Sequence, residues 1–251
     1  MLKIIFKSKI QYVLGFCSRL YIKKIIARTF TGKQTDINTQ KYYKTETNDA
    51  IIVGGWSSKE LHQYSIKDQL WTKLENVELT DYCKAVFEFD ENIYTVARNG
   101  NVTSLIENKT YKHPLNESSC IHTSKIGSKI LIFNKIEPHI AYTSEIKMFD
   151  TKYFIWKDLK TKVVNRILFS AVEYMGLIWI LGGRSNNGLQ LESVDSVEIY
   201  DPILDLINPS PLKMLCSRYQ HRSITYKGKL YVLGGLDGDT LLNSVEMKRL
   251  M

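Results

Sequence analysis

Arg218-Tyr219-Gln220-His221-Arg222-Ser223-Ile224, then Lys227-Gly228, then Leu230-Tyr231-Val232-Leu233-Gly234-Gly235 is the stretch that decides the fold. Apolar runs separated by X-Gly predict a β-hairpin, because glycine takes the positive φ of a tight turn at little cost. The same order stands upstream: Asn165-Arg166-Ile167-Leu168-Phe169-Ser170-Ala171, then Met175-Gly176, then Leu177-Ile178-Trp179-Ile180-Leu181-Gly182-Gly183. Arg166 and Arg218 each lie 16 residues before the first glycine of their pair. A third apolar strand with a double glycine is Ile51-Ile52-Val53-Gly54-Gly55.

The interval between Gly55 and Gly182 holds two eroded copies. Ile93-Tyr94-Thr95-Val96 is followed by Ala97-Arg98, and Ile130-Leu131-Ile132-Phe133 by Asn134-Lys135, where glycines would stand. Pair positions 54, 97, 134, 182 and 234 are spaced by 43, 37, 48 and 52 residues, the period of a propeller blade. A second signal runs in register with the first. Tyr64 precedes Trp71 by seven residues, Phe149 precedes Trp156 by seven, and Tyr200 precedes Ile207 by seven. Ser196-Val197-Glu198-Ile199-Tyr200-Asp201-Pro202 alternates polar and apolar residues and then turns, and Ser244-Val245-Glu246-Met247 repeats its beginning.

Strand, tight turn, strand ending in Gly-Gly, loop, strand ending in Tyr-Asp-Pro, turn and strand with Trp resemble the kelch repeat, from about Ile51 to Met247. Residues 165–247 resemble the kelch-like family most closely. The resemblance implies an all-β, kelch-type β-propeller of about four to five four-stranded blades. The first copy has no clear first strand and the fifth stops after its third, so the propeller is expected to be incomplete. Gly54, Gly55, Gly182, Gly183, Gly234 and Gly235, with Tyr64, Trp71, Trp156 and Tyr200, are expected to build blades rather than to bind, since glycine permits close approach and the aromatics bury large surfaces.

Charge is unevenly placed. Residues 1–35 hold eight basic residues and no acid, leaving 26 basic and 26 acidic residues in the remainder. The net charge of +8 is thus a property of the first segment, and a nucleic-acid surface on the main domain is not expected. Residues 1–35 form a basic segment, open to reading as an unstructured leader or as a transit-type or secretory targeting sequence. Its longest uncharged run, Ile10 to Ser18, is too short to span a bilayer as a helix. Residues 36–49 read as a polar linker and residues 50–251 as the propeller. The four cysteines, Cys17, Cys83, Cys120 and Cys216, are scattered, which fits thiols in a reducing compartment, and a cytoplasmic location is expected. Three Asn-x-Ser/Thr triplets begin at Asn101, Asn108 and Asn116 and would matter only on a secretory route.

No metal-ligand spacing involves His62, His113, His122, His139 or His221, and no Walker loop, dinucleotide fingerprint or nucleophile elbow is present. The expectation is a non-catalytic interaction protein with no cofactor, no metal and no catalytic residue. Candidate partner-binding residues lie on the segments that enter and leave blades: Arg166, Arg218, Tyr219, Arg184 and Asp237. In kelch-like receptors such loops often face a central pocket and take acidic motifs, and an arginine fork suits a carboxylate. The other reading of Arg166 and Arg218 is that they form salt bridges to neighbouring blades. Complete kelch-like proteins join BTB and BACK domains to the propeller and act as adaptors for cullin-based ubiquitin ligases. The first 49 residues are too few for a BTB domain, on the order of 100 residues, so direct cullin binding by this chain is not expected. Actin binding is the alternative partner class implied by the resemblance, and a propeller enzyme is the remote one.

Overall fold

The computed structural model describes residues 3–7, 10–14, 26–28, 49–55, 58–65 and 70–73, and residues 81–248 apart from 90–91, 106, 115–119, 136–141 and 187–189. Every regular element among them is a β-strand. Two compact units are present, Met1–Asn116 and Glu117–Met251.

In the first unit, β1 (Lys3–Lys7) and β2 (Ile10–Leu14) form a hairpin. A four-stranded antiparallel sheet follows, in the order β3 (Ile26–Arg28), β4 (Asp49–Gly55), β5 (Ser58–Ser65) and β6 (Leu70–Lys73). The strand missing from the first copy in the sequence pattern is therefore Ile26–Arg28. Three residues are too few to show an alternating pattern. A second meander contains β7 (Cys83–Phe89), β8 (Asn92–Ala97), β9 (Val102–Ser104) and β10 (Lys109–Tyr111). Leu61, Cys83, Val86 and Leu105 bury a shared core between the two sheets.

Among the described residues the second unit holds two such four-stranded blades and a third of three strands. The first is β11 (Cys120–Ile126), β12 (Lys129–Lys135), β13 (Ser144–Asp150) and β14 (Ile155–Val163). The next comprises β15 (Ser170–Tyr174) and β16 (Leu177–Leu181), then the excursion β17 (Arg184–Asn186) and β18 (Leu191–Ser193), then β19 (Ser196–Asp201) and β20 (Leu206–Lys213). The last comprises β21 (Arg222–Tyr226) and β22 (Lys229–Leu233), the small hairpin β23 (Leu236–Asp237) and β24 (Thr240–Leu241), and β25 (Val245–Lys248). The first strands β11, β15 and β21 adjoin in succession, as expected for propeller blades arranged about an axis.

Successive blades pack face to face. Leu131, Phe133, Ile146 and Met148 of one bury against Ala171, Ile178, Ile180 and Tyr200 of the next. That blade in turn sets Trp179, Leu181 and Val197 against Leu230 and Val232. No helix among the described residues is long and apolar enough to cross a membrane.

The sequence spacings have direct structural causes. Tyr64 pairs with Trp71, Phe149 with Trp156 and Tyr200 with Ile207, each directly across the hairpin of the third and fourth strands. The seven-residue interval is therefore a register fixed by a four-residue turn, which ends on Phe154 (φ 58°) and Asp205 (φ 52°) in two of the three cases. The rings of Phe149 and Trp156 lie 5.1 Å apart. Trp71 remains 41% exposed. Met175-Gly176 and Lys227-Gly228 are two-residue turns with positive φ at both positions, the combination that suits a right-twisted hairpin.

Gly182 and Gly183 have φ of +55° and +105°, where a side chain is strained. A Cβ on Gly182 would lie 2.4 Å from the Arg218 carbonyl oxygen, so the next blade's entry segment passes over it. In the copy where Asn134-Lys135 replaces the glycine pair the strand runs on instead. β12 continues through Asn134 and Lys135, which pair with Glu145 and Ser144.

Candidate functional site at the loop end of the second unit

The segment entering a blade and the hairpin leaving its second strand meet at one end of the strands. Ile167 bridges Arg184 in one blade, and Tyr219 bridges Leu236 in the next. All five candidate binding residues belong to these segments.

Arg218 is fully buried. Its Nη1 donates to the Gly234 carbonyl at 2.7 Å and its Nη2 to Ser244 Oγ at 3.2 Å, and Nη2 also pairs with the Glu246 carboxylate. Glu246 accepts in addition from the Leu215 and Cys216 amides, at 2.7 and 3.0 Å. Arg166 repeats the arrangement. Its Nη1 donates to the carbonyls of Gly182 (3.0 Å) and Ser196 (2.9 Å), and its Nη2 to Ser196 Oγ (2.8 Å), with Glu198 at 3.4 Å. Burial lowers the Arg166 pKa, and Glu198 opposes that shift.

Each arginine thus ties a blade's entry segment to the glycine pair and third strand of its own blade. The expectation that Arg166 and Arg218 face a partner does not match where their side chains sit. Nor do they bridge to neighbouring blades through salt bridges. A carboxylate on the third strand draws each guanidinium inward, so both terminal nitrogens of each fork bond within the blade. At this point the blades are linked through the backbone, where the Gly183 amide donates to the Arg218 carbonyl at 2.8 Å.

Arg184, Tyr219 and Asp237 are brought together. The Arg184 guanidinium lies 5.0 Å from the Tyr219 ring centroid, a cation–π arrangement, and donates to the Leu191 carbonyl at 2.7 Å. The Tyr219 hydroxyl donates to the Gly238 carbonyl at 2.8 Å, and the Gly238 amide donates to Ser193 Oγ at 2.9 Å. These contacts join hairpin β17–β18 of one blade to hairpin β23–β24 of the next. Glu192, Asp237 and Asp239 are exposed on them.

Sequence reading missed Glu198, Glu246 and their serines as the arginines' partners. The signal was present, since Ser-Val-Glu recurs at 196–198 and 244–246 just as the arginines recur. His221 was missed as well. It is buried against Gly182 and Gly235, and neither ring nitrogen has a well-formed side-chain hydrogen bond. Burial, then the positive charges of Arg218 and Arg222, push its pKa down to about 3, with slight opposition from the Arg218 backbone.

Tyr200 is buried and its hydroxyl donates to Asp205, whose other carboxylate oxygen accepts the Lys160 amide of the preceding blade at 2.7 Å. Among the described residues no group of three His, Cys, Asp or Glu is placed to hold a metal ion.

Antiparallel blades with this register and glycine geometry are those of a β-propeller. The kelch motif family matches residues 217–247. Kelch-like protein 33 of Homo sapiens is 37% identical over 84 residues, covering 33% of this chain and 15% of that protein. An F-box/kelch-repeat protein of Arabidopsis thaliana is 29% identical over 116 residues, covering 43% of this chain and 28% of that protein. The matched part of the chain therefore spans less than a third of either relative. The chain carries a kelch motif at residues 217–247 and is similar to kelch-repeat proteins over part of its length.

Proposed function

We propose that this chain is a non-catalytic recognition module and that its partner docks on the paired hairpins β17–β18 and β23–β24. The observation that carries this reading is the join between them: Arg184 over Tyr219, and the Gly238 amide on Ser193 Oγ. Two loops from different blades held in one geometry make a preorganised surface, which lowers the ordering cost of binding. The exposed charges there are carboxylates, while both clamp arginines are committed internally. The partner chemistry this surface suits is therefore cationic or rich in hydrogen-bond donors, rather than the acidic motif that arginines alone would suggest.

Within that role, the resemblance favours a module like the substrate-recognition propeller of kelch-like adaptors for cullin-based ubiquitin ligases, without direct cullin binding by this chain. Actin binding has no residue pattern of its own on this surface. The test is an unbiased interaction screen comparing wild type with an Arg184→Ala/Asp237→Ala variant. Loss of partners at an unchanged melting temperature supports the reading, and an unchanged partner list refutes it. Cosedimentation with actin filaments, using chain without residues 1–35, tests the alternative free of polybasic attraction.

A further inference from the structure

Strand β14 is the outermost of its sheet, and its outer edge pairs with no strand among the described residues. Apolar side chains bound that edge at both ends. At its start the turn from β13 exposes Tyr153, Phe154 and Ile155. Further along, the turn between β19 and β20 of the next blade closes against the strand. There the Lys160 amide donates to the Asp205 carboxylate at 2.7 Å, and the Thr161 hydroxyl donates to the Asp205 carbonyl. That turn carries Ile203 and Leu204, which are 89% and 70% exposed. The open edge from Ile155 to Lys160 is about 16 Å long at the rise of a strand, room for about five residues of an extended chain.

The charge along this edge is positive and uncompensated. Lys152 stands beside the first apolar tip, and Lys157 and Lys160 stand between the two. All three are exposed, and none pairs with a carboxylate among the described residues. The acids nearby are already engaged. Asp158 pairs with Lys147 at 3.0 Å and Glu145 with Lys162 at 3.6 Å. Asp150 accepts the Lys152 amide at 2.9 Å, and Asp205 accepts the Tyr200 hydroxyl as well as the Lys160 amide.

Single exposed apolar residues are ordinary, but two apolar tips framing a bare strand edge and a row of unpaired cations are not. Lysines on an edge oppose a basic strand and favour an acidic one. A lipid surface offers no hydrogen-bond partner for the backbone row. An extended acidic peptide meets all three features, with its main chain on the edge, its carboxylates on the lysines and its apolar side chains on the tips.

We propose that the outer edge of β14 is a second docking site, whose occupant is an extended acidic segment of a partner protein with apolar residues about five positions apart. The site is separate from hairpins β17–β18 and β23–β24, so either can fail without the other.

The test is fluorescence anisotropy of a fluorescein-labelled peptide, Gly-Leu-Glu-Glu-Glu-Glu-Leu-Gly, with the full chain at about 0.1 M salt. Replacing the peptide's glutamates by glutamine should weaken binding at least tenfold. An exposed ion pair contributes up to about fivefold, so Lys157→Gln/Lys160→Gln should lose about tenfold. Ile155→Ser/Leu204→Ser keeps every charge and should also lose about tenfold. These exposed substitutions should leave the melting temperature unchanged, which separates lost docking from lost folding. Arg184→Ala/Asp237→Ala should bind the peptide as wild type does. No binding at about 1 mM peptide would overturn the proposal, as would full binding by the lysine variant. So would loss of binding in Arg184→Ala/Asp237→Ala, which would place the peptide on the hairpins, or self-association of the chain abolished by the lysine substitutions, which would make a second copy the occupant.

Discussion

Replacing Arg218 with alanine should cost roughly 3–5 kcal/mol of stability, the range for breaking a buried ion pair from one side. The guanidinium has no exposed surface, and its removal strands the Gly234 carbonyl, Ser244 Oγ and the Glu246 carboxylate. Glu246 keeps the Leu215 and Cys216 amides, which places the expected loss nearer the lower bound. An exposed pair would contribute only about 0–1 kcal/mol, so the two readings of this arginine are well separated. Urea unfolding followed by circular dichroism measures the difference, and a drop in Tm on the order of 10 °C should accompany it. A cycle with Glu246→Gln should show a coupling of about 1–3 kcal/mol, because the partners are in direct contact. Arg218→Lys should recover only part of the loss, since an ammonium cannot reproduce the fork onto Gly234 and Ser244. An Arg218→Ala protein within about 0.5 kcal/mol of wild type, yet deficient in partner binding, would refute the internal clamp.

The two leading glycines should separate. Gly182→Ala should destabilise strongly, since the new Cβ would meet Arg218 backbone at 2.4 Å, whereas Gly234→Ala meets only the Leu242 carbonyl at 3.5 Å and should cost the left-handed strain of about 1–2 kcal/mol. Chemical denaturation of both variants checks the order. His221 should make the fold acid-sensitive. Its folded pKa lies below the unfolded value of about 6.5, so the unfolded chain binds the extra proton and stability falls as pH drops from about 6.5 towards 3, by up to about 1.4 kcal/mol per unit. A His221→Gln protein should show a flatter stability profile across that window in pH-dependent melts. Tyr174→Phe should cost about 1 kcal/mol by removing the hydroxyl that donates to the Gly228 carbonyl of the next blade, measurable as a shift in the urea midpoint.

Much of the fold was legible because its signals are local. A four-residue turn converts directly into the Tyr–Trp interval, and a two-residue turn with positive φ demands Met175-Gly176 or Lys227-Gly228. The strand Ile26–Arg28 was not legible, since it carries too few residues for a pattern and pairs across a long interval with β4. The arginines were half legible. Their equivalence showed in the sequence, but the carboxylates that draw them inward lie about thirty residues further on, across a connection of variable length. Only the fold brings Glu198 and Glu246 beneath them. The join of Arg184 to Tyr219 crosses from one blade to the next, and no spacing rule reports it.

The central claim is that recognition occurs at the paired hairpins while the arginine clamps hold the scaffold. Amide hydrogen exchange of the chain with and without a partner captured in the screen tests it most directly. Slower exchange in 184–193 and 236–241 on binding is the predicted result. Protection confined to the opposite turns at Gly176 and Gly228, with those hairpins unchanged, would contradict it.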